Sequence, residues 1–145
     1  MSKIKNIIGL IPARMESSRF PGKPMKKIRG IPMIGRVYLA AKKSLKMKTL
    51  YVATCNKIIF DYIKSIGGKV IMTSKKHTRA TDRCAEALIK IEKKERKYFS
   101  HIVMIQGDEP LVNSKMIDES LKPFNNIKIN VVNLLGKFEN KKEFL

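Results

Sequence analysis

Asn6-Ile7-Ile8-Gly9-Leu10-Ile11-Pro12-Ala13-Arg14-Met15-Glu16-Ser17-Ser18-Arg19-Phe20-Pro21-Gly22-Lys23-Pro24 joins a short apolar run to a loop loaded with cations. The run from Asn6 to Ile11 is unbroken and rich in isoleucine, as expected of a strand buried on both faces. Arg14, Arg19 and Lys23 follow, together with two serines and a glycine. Side-chain charge and exposed backbone N–H groups can converge there on a phosphate chain. The spacing is neither that of a Walker P-loop nor Gly-x-Gly-x-x-Gly, so neither of those phosphate loops applies.

Outward from this stretch, helix and strand patterns alternate. Pro32 to Lys46 carries apolar residues at Met33, Ile34, Val37, Tyr38, Ala41 and Leu45, a helical spacing, and Thr49 to Thr54 reads as a strand. Ile58, Ile59, Tyr62, Ile63 and Ile66 mark one face of a helix that Gly67-Gly68 closes. Val70 to Thr73 is a strand, Thr81 to Lys97 a helix with Thr81 as its N-cap, and His101 to Ile105 a strand. Ser114 caps a helix that runs through Leu121, and Ile127 to Leu135 is a last strand. The alternation predicts an α/β fold, Rossmann-like, with a mainly parallel sheet flanked by helices. Without repeat or linker, residues 1–145 read as one nucleotide-binding domain. In a parallel sheet the loops at 12–24, 74–80 and 106–113 share the carboxyl edge, where ligands bind.

Composition narrows the function classes. The chain has 145 residues, 31 Lys and Arg against 12 Asp and Glu, and a formal charge of +19. Such a balance raises a basic nucleic-acid-binding module as one reading. The lysines, however, are scattered over predicted helix faces, and no helix-turn-helix, zinc finger or aromatic platform accompanies them. A solvated basic surface is the favoured reading, and nucleic acid is not an expected partner. No apolar run is long enough to cross a bilayer, so a cytoplasmic protein with no membrane partner is expected. Cys55 and Cys84 lack metal-type spacing and read as reduced structural thiols.

Gln106-Gly107-Asp108-Glu109-Pro110 follows the strand at His101 and supplies the chemistry that the cationic loop lacks. Asp108 is a candidate magnesium ligand, since one carboxylate with water and phosphate oxygens makes a partial site. The competing reading of Asp108 and Glu109 is a polar turn before Pro110. Gln106 offers an amide to a base or ribose, or is a satisfied buried amide. His77 to Arg83 enters a helix N-terminus, where Thr81, Asp82 and Arg83 could read a base edge or simply begin the helix.

Taken together, these blocks resemble the 3-deoxy-manno-octulosonate (Kdo) cytidylyltransferase family. Ile11 to Pro24 is similar to its N-terminal signature. Tyr51-Val52-Ala53-Thr54, Met72-Thr73 with His77 and Thr81 to Arg83, and Gln106 to Pro110 follow in the family's order. The resemblance runs from about Ile7 to Leu145. It implies a glycosyltransferase-A-like nucleotidyltransferase fold and an enzyme with magnesium as cofactor. That enzyme joins CMP from CTP to the anomeric hydroxyl of Kdo, releasing pyrophosphate for lipopolysaccharide assembly. Arg14 and Lys23 match catalytic positions that hold the triphosphate, with Arg19 as helper, and Asp108 matches the metal ligand. Gln106, His77, Thr81 and Arg83 match the nucleotide-lining segment.

Three departures from the family accompany this. Arg79-Ala80 stand where Ser-Gly is usual, and Cys55 stands where an aspartate is usual. The family's C-terminal part, which carries a second magnesium aspartate, much of the sugar pocket and most of a homodimer interface, has no counterpart here. The resemblance therefore implies a nucleotide-binding half that turns over slowly or not at all. Alternatives are a nucleotidyltransferase for another surface sugar and an inactive nucleotide-binding fragment.

Overall fold

The computed structural model describes residues 6–17 and 19–136; Ser18 of the cationic loop lies outside the described residues. Strand β1 (Ile7–Ala13) is buried along its whole length and leads to a short antiparallel pair, β2 (Lys27–Ile28) and β3 (Ile31–Pro32). Helix α1 (Met33–Ala41), strand β4 (Thr49–Thr54), helix α2 (Lys57–Ser65) and strand β5 (Val70–Met72) follow. Helix α3 (Ala80–Glu95), strand β6 (His101–Met104) and helix α4 (Ser114–Ser120) complete the order. The main sheet runs β5-β4-β1-β6, and every pairing in it is parallel. This is the Rossmann-like sheet that the alternating pattern predicts.

Period-2 alternation in β1 distributes its side chains between two cores. Ile7, Ile11 and Ala13 join Ile34, Val37 and Tyr38 of α1, Ile59 and Ile63 of α2, and Ile117 of α4. Ile8 and Leu10 face the other way, against Cys84, Ala87 and Ile91 of α3. With both faces covered, β1 and β4 are fixed, and their carboxyl ends make a rigid platform for loops. Both cysteines are buried and unpaired, as structural thiols.

Four sequence expectations are corrected. Helix α1 ends at Ala41, short of Lys46, because Asp118 of α4 accepts the Ser44 hydroxyl and the Leu45 and Lys46 amides at 3.1 and 3.2 Å. A tertiary carboxylate thus takes amides that a longer helix would have used, and Leu45 is left exposed. Thr81 is not an N-cap: α3 begins at Ala80 with Arg79 at the cap position, and no side chain caps it. Ser114 is not one either, since Asn113 caps α4 by accepting the Met116 amide at 3.0 Å. Residues 127–135 form no strand; Ile127 is 83% and Val131 76% exposed. A strand needs a ladder partner to satisfy its backbone, and none of the described residues pairs with this segment.

Candidate functional site

All three loops predicted at the carboxyl edge meet there, around a cleft of about 280 Å³. Its floor is Pro12 and Ala13 at the end of β1 together with Gly107. Gly107 is required by close approach, since a Cβ there would sit 2.8 Å from the Pro12 carbonyl oxygen.

The cationic loop is shaped locally and tethered from a distance. Gly22 takes a left-handed conformation (φ +72°) that a side chain would resist, and its amide donates to the Met15 carbonyl at 2.9 Å. A 3₁₀ turn over Lys23–Met25 follows. Asn56 stands at the N-cap position of α2 but does not cap it. Its side chain reaches instead to the loop, accepting the Met15 amide at 3.0 Å and donating to Glu16 Oε1 at 2.9 Å. That bond, more than the neighbouring Lys75 and Arg14 charges, holds the Glu16 carboxyl below the usual carboxylate range.

Arg14, at the end of β1, and Lys23 line the cleft, as do Gln106 and Asp108 from the loop after β6. Lys23 Nζ and Asp108 Oδ2 form an ion pair at 2.9 Å, both half-exposed. Residues 85 positions apart are thereby joined across the cleft. Gln106 is exposed and its side chain makes no hydrogen bond among the described residues, which leaves the amide open to a ligand.

The third wall is the segment after β5. His77, Thr78, Arg79 and Ala80 line the cleft. Arg83 also reaches it but is 2% exposed and hydrogen-bonded to the protein. Its guanidinium donates to Thr73 Oγ1 at 2.6 Å and to the Ser74 and His77 carbonyls at 3.3 Å. No carboxylate pairs with it among the described residues, so a buried positive charge stands at the back of the cleft. His77 Nε2 contacts the Glu86 carboxylate. Two predicted site residues do not join this group: Arg19 and Thr81 are exposed and outside the residues that line the cleft.

Three further residues shape the site. In sequence Glu16 is a lone acid among cations, and nothing beside Asn56 points to a loop 41 residues away. Glu86 had the clearest signal, being three residues after Arg83 and four before Lys90, on one helix face. The Lys90 ammonium, then the Ser74 amide and His77, bring its carboxyl down to about 2.

A tethered cationic loop and a carboxylate face each other across a cleft at the carboxyl edge of a parallel sheet, where such sheets bind their ligands. The family model described as cytidylyltransferase matches residues 8–145. The chain belongs to the cytidylyltransferase family. Two curated members similar to it carry the name 3-deoxy-manno-octulosonate cytidylyltransferase. The one from Thermodesulfovibrio yellowstonii is 40% identical over 139 residues, covering 94% of this chain and 54% of that protein. The one from Fusobacterium nucleatum is 42% identical over 137 residues, again 94% and 54%. Among solved structures, CMP:2-keto-3-deoxy-manno-octonic acid synthetase complexed with CTP superposes with a TM-score of 0.76 at 32% identity. That match covers 84% of this chain and 48% of the other. This cytidylyltransferase chain thus spans about half the length of the relatives it matches.

Proposed function

We propose that the chain is the nucleotide-binding part of a CTP:Kdo cytidylyltransferase, acting in the cytoplasm in lipopolysaccharide assembly. The observation that carries this reading is the cleft itself, where Arg14 and Lys23 face Asp108 across the carboxyl ends of β1 and β6. The relatives' shared name supplies the sugar, and the CTP complex of the solved relative supplies the nucleotide. Arg79 and Ala80 on the cleft wall bear on sugar and base choice, which makes a related surface sugar the second reading.

In the proposed reaction the anomeric hydroxyl oxygen bonds to the α-phosphorus of CTP while the bridge to the β-phosphate breaks. Pyrophosphate leaves and the hydroxyl proton passes to solvent. Arg14 and Lys23 hold the triphosphate, and their charge stabilises the departing pyrophosphate more than the intact chain. Gln106, with its free amide, orients the nucleoside. A magnesium ion fits the donor set in one way. No three metal-type ligands cluster among the described residues, so Asp108 would hold the ion and the triphosphate and water would complete its shell. Bound there, the ion supplies neutralisation of charge on the phosphate oxygens. For either event Lys23 must leave Asp108 for phosphate, an exchange between two half-exposed groups that costs little.

Melting curves with magnesium and each of CTP, UTP, ATP and GTP test this. A ligand that binds only the folded chain stabilises it by about 2.7 kcal/mol at a hundredfold excess over Kd. A CTP-selective, magnesium-dependent rise is expected; a sharp transition indifferent to every nucleotide overturns the reading.

A further inference from the structure

Beyond Met72 the chain leaves the sheet, and the Thr73 amide makes the last ladder-type bond, to the Thr54 carbonyl at 2.9 Å. The next residues form one wall of the cleft without a strand neighbour, so their polar groups need other partners. Helix α3 supplies them from one face. Arg83 takes the oxygens, those of Thr73, Ser74 and His77. Glu86 takes donors, the Ser74 amide at 2.9 Å and His77 through Nε2. Lys90 in turn holds Glu86 at 2.6 Å and the Met72 carbonyl at 3.0 Å. The cation and the anion thus divide the segment's acceptors and donors between them, and Ser74 is gripped by both.

We propose that Arg83 and Glu86 are positioning residues, which clamp residues 73–77 to α3 so that His77, Thr78 and Arg79 stand as a preformed wall of the cleft. The role rests on the nucleotide reading above. A wall already fixed before the ligand arrives spares it the ordering cost of a loose loop. Arginine is specified at position 83 because its planar fork reaches three oxygens from two separate nitrogens, whereas an ammonium offers its donors from a single point. Glutamate is specified at 86 because the segment offers donors there, and a carboxylate accepts several.

Two readouts on the intact chain test the clamp: hydrogen exchange at the Ser74 amide without nucleotide, and the Kd for CTP with magnesium. Replacing Glu86 by alanine leaves α3 a good helix former, and Glu86→Gln keeps one acceptor. Glu86→Ala is expected to speed Ser74 exchange about tenfold and to weaken CTP about tenfold, and Glu86→Gln to restore much of both. Arg83→Lys is expected to follow Glu86→Ala. Unchanged Ser74 exchange in Glu86→Ala overturns the clamp. Faster exchange with an unchanged Kd overturns the positioning role and leaves the nucleotide reading intact. If the unmodified chain takes up no CTP, the nucleotide reading fails and the positioning role with it, while exchange alone still decides whether the clamp exists.

Discussion

Gly107→Ala joins core packing to the cleft in a single atom. The added Cβ would lie 2.8 Å from the Pro12 carbonyl oxygen, 3.4 Å from Ile34 Cδ1 and 3.6 Å from Ala13 Cβ. An ordinary carbon–oxygen contact is about 3.3 Å or longer, so roughly 0.5 Å must be found. The obstructing atom is backbone, in a strand paired to β4 on one side and β6 on the other and buried on both faces, so β1 cannot yield. The loop at 106–108 has to move outward instead. Overpacking of this kind costs about 1–3 kcal/mol. For a domain of this size that is a fall in Tm of roughly 3–10 °C. The same movement carries Asp108 away from Lys23 and out of register with a bound triphosphate, so the CTP-induced shift should shrink as well. Calorimetry or circular-dichroism melting with and without CTP and magnesium measures both. Gly30→Ala is the control: its Cβ meets nothing, and only the positive φ (+80°) is strained, at about 1 kcal/mol with no effect on CTP. If Gly107→Ala melts within about 1 °C of the unmodified chain and responds fully to CTP, the close-approach argument is wrong.

Other consequences can be checked separately. Asp108→Asn should abolish the CTP response yet change nucleotide-free stability by less than about 1 kcal/mol, because the pair with Lys23 is half-exposed; a large loss without nucleotide would contradict this. Glu86 is held at about 2, chiefly by Lys90, against 4.5 when free. As a depressed carboxylate it contributes stability that is present above about pH 4.5 and is lost as pH falls toward 2; because Lys90 is half-exposed and screened by solvent, that contribution is about 1 kcal/mol. Acid unfolding of Glu86→Gln should lose that part of its pH dependence. Tyr51→Phe removes a hydroxyl that donates to Glu95 at 2.6 Å and should cost about 1–2 kcal/mol in urea unfolding. Burial pushes the Cys84 thiol up to about 11, so a disulfide reagent at pH 8 should modify it only after denaturant is added; rapid labelling of the folded chain would contradict its packing against β1 and β4.

Short-range pattern controls the elements that could be read from residue order alone. Apolar runs such as Ile7 to Ile11 and Thr49 to Thr54 have too little polar surface to sit anywhere but inside a sheet. The glycine pair after Ile66 ends α2 locally, with the Gly68 amide returning to the Ile63 carbonyl at 2.8 Å. Alternation of such elements fixed the parallel sheet, and a parallel sheet fixed the edge on which the three loops meet. Tertiary structure decided the rest, because the deciding partner was distant in the chain. Asp118 ends α1 from 74 residues beyond Ser44. Asn56 leaves its own helix uncapped to hold Met15, 41 residues away. The apolar pattern at 127–135 is strand-like, yet a strand exists only where a neighbour completes its hydrogen bonds. Residue order leaves Arg83 open either to a base edge or to the start of α3, and packing gives its donors to the Thr73 hydroxyl and two of the chain's own carbonyls. Residue type sets what a side chain can bond; which of several competent partners it meets is a three-dimensional fact.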